Sequence, residues 1–383
     1  MIYLDYSATT PVNEEVLDTY YRVTKKYIGN PNSLHKLGLE ANELISSATK
    51  QIERILNIKD YDVIYTSGAS ESNNTAIKGI CSRYKNRGNH IITTQLEHSS
   101  ITAPISYLAN NGFVVDFVKL KDNGQVDLDD LKKLLNDKTI LVSISSVNSE
   151  IGIIQPIEEI SKILKEYPKC FFHSDMTQSI GKQKININNV DLVSFSSQKF
   201  FGPKGIGCLL KRKKIVIDPL IHGGKSTTIY RSGTPSPALI CSMSKAVRLA
   251  YDNFDTKYNY VLELSNYLKN KLKDLDIYIN SNDYCLPHII NFSLKNIKSE
   301  TMLHALEAKE IYISTQTACS VSNVSKAVYS VTKNEEKSTH SMRISISYET
   351  TKQQIDIFVE TLKNEIEKLG ELNESNKNKR HVV

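Results

Sequence analysis

Between residues 62 and 210 the sequence alternates short apolar runs with helical stretches, and this alternation limits the fold more than any other feature. Runs rich in β-branched and aromatic residues stand at 62–65, 90–93, 113–118, 139–144, 170–173, 191–195 and 206–210. Several are separated by helical spacing, for example Pro156 to Lys165, with the proline placed in a first turn. Apolar strands joined by helices predict a mostly parallel sheet covered on both faces. In such a sheet, ligands sit beyond the carboxyl ends of the strands.

The flanks differ. Residues 1–12 read as extended, Asn13 as a helix cap and 13–27 as a first helix. A turn-rich loop, Gly29-Asn-Pro-Asn-Ser-Leu-His35, precedes a helical stripe over 39–56. Beyond residue 255 come a helix at 255–275, a strand at 285–293, a helix at 299–309, and strands at 311–314 and 343–347. A last helix is predicted from Thr350, paired with Gln353 in a capping box and stopped at Gly370, with a frayed tail from Asn373. The expected division is a large domain over 13–255 and a smaller α+β domain made of 1–12 and 256–383. The smaller one carries a long polar loop at about 314–342 without regular structure.

Composition narrows the function classes. A net charge of +6 spread along 383 residues is too diffuse to argue for direct nucleic-acid binding. No apolar run approaches a membrane span, and Met1-Ile-Tyr-Leu-Asp5 does not open a secretory signal. The six cysteines show no close pairing, so neither a disulfide framework nor a metal site is expected, and reduced thiols in a cytoplasm fit.

The strand ends carry the chemistry. After 62–65 comes Thr66-Ser-Gly-Ala-Ser-Glu-Ser-Asn-Asn-Thr75, small residues opening a helix where backbone N–H groups can meet an anion. After 90–93 comes Glu97-His98, after 139–144 Asn148-Ser-Glu-Ile-Gly152, after 170–173 His173-Ser-Asp175-Met-Thr-Gln178. After 191–195 comes Gln198-Lys199-Phe-Phe-Gly-Pro-Lys-Gly205. Polar groups converging on one rim mark a pocket. A lysine there is poorly solvated and therefore a candidate nucleophile. A lysine, a carboxylate, a flat ring partner and a phosphate cup are what pyridoxal phosphate (PLP) needs. Lys199 would bond its aldehyde, Asp175 its ring nitrogen and Gln178 its phenolic oxygen. His98 would stack on the ring, and Ala69, Ser70, Ser196 and Gln198 would hold the phosphate.

These motifs, with Arg231-Ser-Gly-Thr234, Ala318-Cys319 and Arg343, resemble the cysteine desulfurases of the iron–sulfur-cluster-assembly type, within the class V aminotransferases, over nearly the whole chain. The resemblance implies the fold-type-I architecture of PLP-dependent transferases and a homodimer in which Thr234 reaches the phosphate of the neighbouring site. It implies conversion of L-cysteine to L-alanine, with Lys199, Cys319 and His98 as catalytic residues. The sulfur would pass to Cys319 as a persulfide, then to an acceptor protein in cluster assembly or tRNA thiolation. Arg343, Asn148 and Asn32 would contact substrate, and Asn148 also the cofactor. Cys319 lies in a polar loop, whereas Cys170, Cys208 and Cys285 lie in apolar runs where thiols are inert.

Gln198 stands where the family usually carries histidine, which implies weaker PLP binding, and Thr315-Gln-Thr317 replaces a glycine-containing triplet before Cys319. Two other readings follow from the same residues. One is a selenocysteine lyase or another class V lyase or aminotransferase; the other is a non-catalytic scaffold that binds a sulfur acceptor.

Overall fold

The structure, a computed structural model, describes residues 1–315 and 324–380. In chain order the strands are β1 (Ile2–Tyr3), β2 (Tyr61–Thr66), β3 (His90–Thr93), β4 (Val114–Phe117), β5 (Thr139–Ser143) and β6 (Phe171–Asp175). They continue as β7 (Leu192–Ser196), β8 (Gly207–Arg212), β9 (Ile277–Ile279), β10 (Ile289–Leu294), β11 (Ile311–Tyr312) and β12 (Ser341–Ser345). Seven form the main sheet in the order β2-β8-β7-β6-β5-β3-β4. All its neighbouring pairs are parallel except those of β8, which runs against both β2 and β7. The central strands β5, β6 and β7 are buried at every position, which is why they read as unbroken apolar runs rather than alternating ones.

Helices cover both faces. Ala69–Tyr84 and Ser99–Ala109 pack one side, where Ile77, Ile80 and Ile101 join a core with Leu141 and Leu209. Glu14–Lys26, Lys36–Ile55 and Pro237–Tyr251 pack the other, with Ile45, Ile52 and Val247 against Val193 and Phe195. Asn13 caps the first helix by accepting from the Glu15 N–H at 2.9 Å.

A second core gathers around the antiparallel sheet β12-β10-β9 and helices Phe254–Leu272, Ser299–Glu307 and Lys352–Arg380. Ile2 and Leu4 belong to it, because β1 pairs with β11 and Asp5 bridges Ser345.

Three local expectations fail. The stretch 314–342 is not one long irregular loop: Lys326–Thr332 and Glu335–Thr339 are helical, capped by Ser325 and Asn334. Ala327 and Val328 anchor the first against Ile151, Ile153 and Cys285, two apolar contacts hidden in a polar sequence. The last helix does not stop at Gly370 but runs to Arg380, so the tail to that point is helical. One helical glycine costs only about 1 kcal/mol, too little to end a helix between favourable neighbours. The capping pair is one residue later than predicted. The Thr351 N–H donates to Gln354 Oε1 at 3.0 Å and the Gln354 N–H to Thr351 Oγ1 at 3.2 Å, while Thr350 turns inward to accept from the Ser347 N–H.

Candidate active site

A cavity of about 350 Å³ opens beyond the carboxyl ends of the parallel strands. Its walls come from the segments after β2, β3, β5, β6 and β7, from Ser7 and Ala8 near the N-terminus, and from Arg343 on β12.

Lys199 ends the single turn after β7, where an apolar strand meets Gly202-Pro203 and the chain must bend. Its Nζ donates to the Ser7 carbonyl at 2.9 Å and to that of Ala8. The N-terminal segment clasps this turn. Both the N–H and the hydroxyl of Thr10 donate to the Gln198 carbonyl, at 2.9 and 3.0 Å, and the Phe201 N–H donates to Thr10 Oγ1 at 2.7 Å. Phe201 is held at φ 62°, a left-handed backbone that costs a bulky side chain about 1–2 kcal/mol. Its ring rests on Tyr348 at 4.8 Å and Tyr6 at 6.0 Å, contacts that keep the strained turn in place.

Asp175 ends β6 and is buried. Oδ2 accepts from Asn73 Nδ2 at 2.8 Å and Oδ1 from the Thr177 N–H at 2.9 Å. Among the described residues it pairs with no lysine or arginine, so its charge is held by neutral donors and faces the cavity. Asn73 also donates to Ser100 Oγ at 2.9 Å, and Ser100 Oγ lies 2.8 Å from His98 Nδ1. The Ser100 N–H donates to that same Nδ1 at 3.1 Å, so a neutral His98 ring carries its proton on Nε2. Burial lowers the His98 pKa against the opposing pull of Asp175, which favours the neutral ring. Asn73 and Ser100 thus tie the carboxylate to the imidazole, a role the sequence did not signal because each is an ordinary polar residue in a helix start.

The far end is built for an anion. Helix Ala69–Tyr84 starts at Gly68 with no side-chain cap, leaving its first N–H groups to the cavity wall formed by Ala69 and Ser70. Ser196 donates its hydroxyl to Gln198 Oε1 at 2.6 Å, and both line the same end. The close approach of this turn to the sheet depends on Gly207, where a Cβ would stand 2.6 Å from the Gly68 backbone.

At the opposite end Arg343 is 2% exposed and reaches the wall between two bonds, Nη2 to Asp5 Oδ1 at 2.6 Å and Nη1 to the Ser149 carbonyl at 2.9 Å. Its Nε is buried with no hydrogen-bond partner among the described residues. Gln178 lines the cavity and donates to the Ser7 carbonyl at 3.0 Å. Glu97 accepts from Thr94 and from the N–H and hydroxyl of Ser145, and burial pushes its carboxyl up to about 7.

Some predicted residues are elsewhere. The Asn148 side chain donates to the Leu96 carbonyl at 2.8 Å and accepts from the N–H groups of Glu150 and Ile151, which commits it to shaping the turn. Asn32 is exposed on the surface loop and outside the cavity wall. Thr234 is exposed and lines a separate cavity of about 200 Å³ beside Arg231 and Tyr65. Cys319 lies outside the described residues. The five described cysteines are buried and unpaired, and burial pushes every one of their thiols up.

The family model for class-V aminotransferases matches residues 2–358. The chain is 42% identical to a NifS/IcsS protein homolog of Lactobacillus delbrueckii subsp. bulgaricus, over 85% of this chain and 86% of that one. It is 40% identical to the cysteine desulfurase IscS of Dictyoglomus turgidum, over 84% and 83%. A solved NifS-like protein superposes with a TM-score of 0.90 at 31% identity, over 96% of this chain and 99% of its own.

Proposed function

The chain belongs to the class-V aminotransferases, and from that premise we propose that its cavity holds pyridoxal phosphate and takes sulfur from L-cysteine. The fold is the α/β fold of fold type I, and the protein is a cysteine desulfurase. One observation carries the cofactor reading: an amine (Lys199), a carboxylate without a cationic partner among the described residues (Asp175) and an uncapped helix start (Ala69, Ser70) line one cavity. That donor set fits an aldehyde, a ring nitrogen and a phosphate.

When bound, the cofactor supplies an electron sink for charge developed at the substrate α-carbon. Asp175 would keep a proton on the ring nitrogen, and its bonds from Asn73 and Thr177 hold the carboxylate in place. His98, fixed by Ser100, would cover the ring face and present its Nε2 proton. Ser196, Gln198 and the first turn at Ala69–Ser70 would hold the phosphate. Lys199 would anchor the aldehyde, then move a proton at the α-carbon. Arg343 would bind the substrate carboxylate with the donors left by Asp5 and Ser149. Cys319 would accept the sulfur as a persulfide and hand it to an acceptor protein serving cluster assembly or tRNA thiolation. Asn148 would act by shaping the turn behind the substrate. Thr234, exposed in one chain, and Asn32 would serve the neighbouring site of a homodimer. The two cores support a division into 13–255 and 1–12 with 256–383, and five unpaired thiols support a reducing cytoplasmic setting.

The test is chemical. Protein loaded with pyridoxal phosphate and reduced with borohydride should carry the modification on the peptide containing Lys199, read by mass spectrometry. Label on another residue, or none, ends the proposal. Cys319→Ala should abolish sulfide release from cysteine in the presence of reductant.

A further inference from the structure

Lys182 belongs to a residue type that normally stays in solvent, yet it is 7% exposed. It lies one turn beyond Gln178, in the tight turns after β6 that the Ser179 and Lys182 N–H groups close onto Met176 and Ser179. Among the described residues its Nζ makes one hydrogen bond, to Gln178 Oε1 at 2.7 Å, and forms no ion pair with a carboxylate. A buried cation so poorly compensated is costly and calls for a reason. The charged groups that act on it are Lys199 and Arg343, and they add to burial in pushing its pKa down to about 7. Burial keeps His288, which feels the charge of Lys182, neutral, and its buried Nδ1 has no hydrogen-bond partner among the described residues.

Lys182 does not line the cavity, but Gln178 does. A lysine side chain, charged or neutral, donates to Oε1 of Gln178. The amide is then pinned at both ends, Oε1 by Lys182 and Nε2 by the Ser7 carbonyl, the same carbonyl that receives Lys199. One N–H of Gln178 remains for the cavity.

We propose that Lys182 is a positioning residue that fixes the Gln178 amide with its N–H side toward Lys199 and the cofactor's phenolic oxygen. This rests on the reading that the cavity binds pyridoxal phosphate. The residue works from behind, through Gln178, without touching the reacting atoms.

The visible absorbance of the loaded enzyme reports this arrangement, because its pH midpoint depends on donors and charges at that oxygen. Lys182→Met should move the midpoint upward by about half a unit or more, since the deprotonated form carries one more negative charge and loses a donor. Gln178→Ala should move it the same way. The double variant should shift no further than the larger single one, as for residues acting in one chain of contacts. A Lys182→Met midpoint equal to that of the unaltered enzyme, or shifts that simply add, would overturn the proposal. Should Lys182→Met fail to fold, Lys182→Gln serves, because it is one atom too short to keep the 2.7 Å contact; it should give the same upward shift, and an unmoved midpoint overturns the proposal. Unaltered protein that shows no visible band after loading instead ends the cofactor reading, so the two failures are separate results.

Discussion

Glu97 and Arg343 show how single side chains set conditions for the whole site. The Glu97 carboxyl titrates near 7, above its unfolded value, so its stabilising protonated form is complete below about pH 4.5 and is lost as pH rises through 7. Glu97→Gln removes that titration. Its stability relative to the unaltered protein should therefore improve between pH 5 and pH 8, by about 1–2 kcal/mol since part of the residue meets solvent, as urea unfolding at the two pH values would measure. Arg343→Lys keeps the charge beside Asp5 but removes the planar fork; KM for cysteine should rise about 10-fold or more with a smaller change in kcat. Lys199, Asp175 and His98 were legible because their residue types stand at strand ends. Asn73, Ser100, Asp5 and Lys182 were not, because their significance lies in partners 27 to 338 positions away or in burial that their polarity disguises.

At the level of elements, the central strands β5, β6 and β7 were readable because burial on both faces makes them nearly continuously apolar. The helices Lys326–Thr332 and Glu335–Thr339 escaped because they are short and set in a stretch rich in Ser, Thr and Lys, held by caps and, in the first, by Ala327 and Val328. The turn Thr66–Ser70 shows an element-scale dependence on one missing side chain. Gly207→Ala would force this turn off the sheet, costing about 1–3 kcal/mol. Thermal unfolding should report that loss, and equilibrium dialysis should show weaker cofactor retention. A Gly207→Ala protein with unchanged retention would mean the turn is not the phosphate cradle.

Across the whole molecule, the first ten residues join the two cores. They give Ile2 and Leu4 to one, Asp5 to Arg343, and the carbonyls of Ser7 and Ala8 to Lys199. Removing residues 1–8 should lower the melting temperature and speed hydrogen exchange in β11 and β12. It should also abolish alanine formation even where the main sheet stays folded. The sequence showed an extended N-terminus but not its destination, because pairing between residues 2 and 311 leaves no local trace.

That strap also times the birth of activity. Its partners on β11 and β12 are synthesised more than 300 residues after it. At ribosomal rates of about 5–20 residues per second the opening segment waits roughly 15–70 s for them. A chain stopped before β12 lacks Arg343 and so has no finished reaction centre. Reactive sulfur should therefore be released only by chains translated almost to their ends, and ribosome-bound fragments stopped before β12 should be silent.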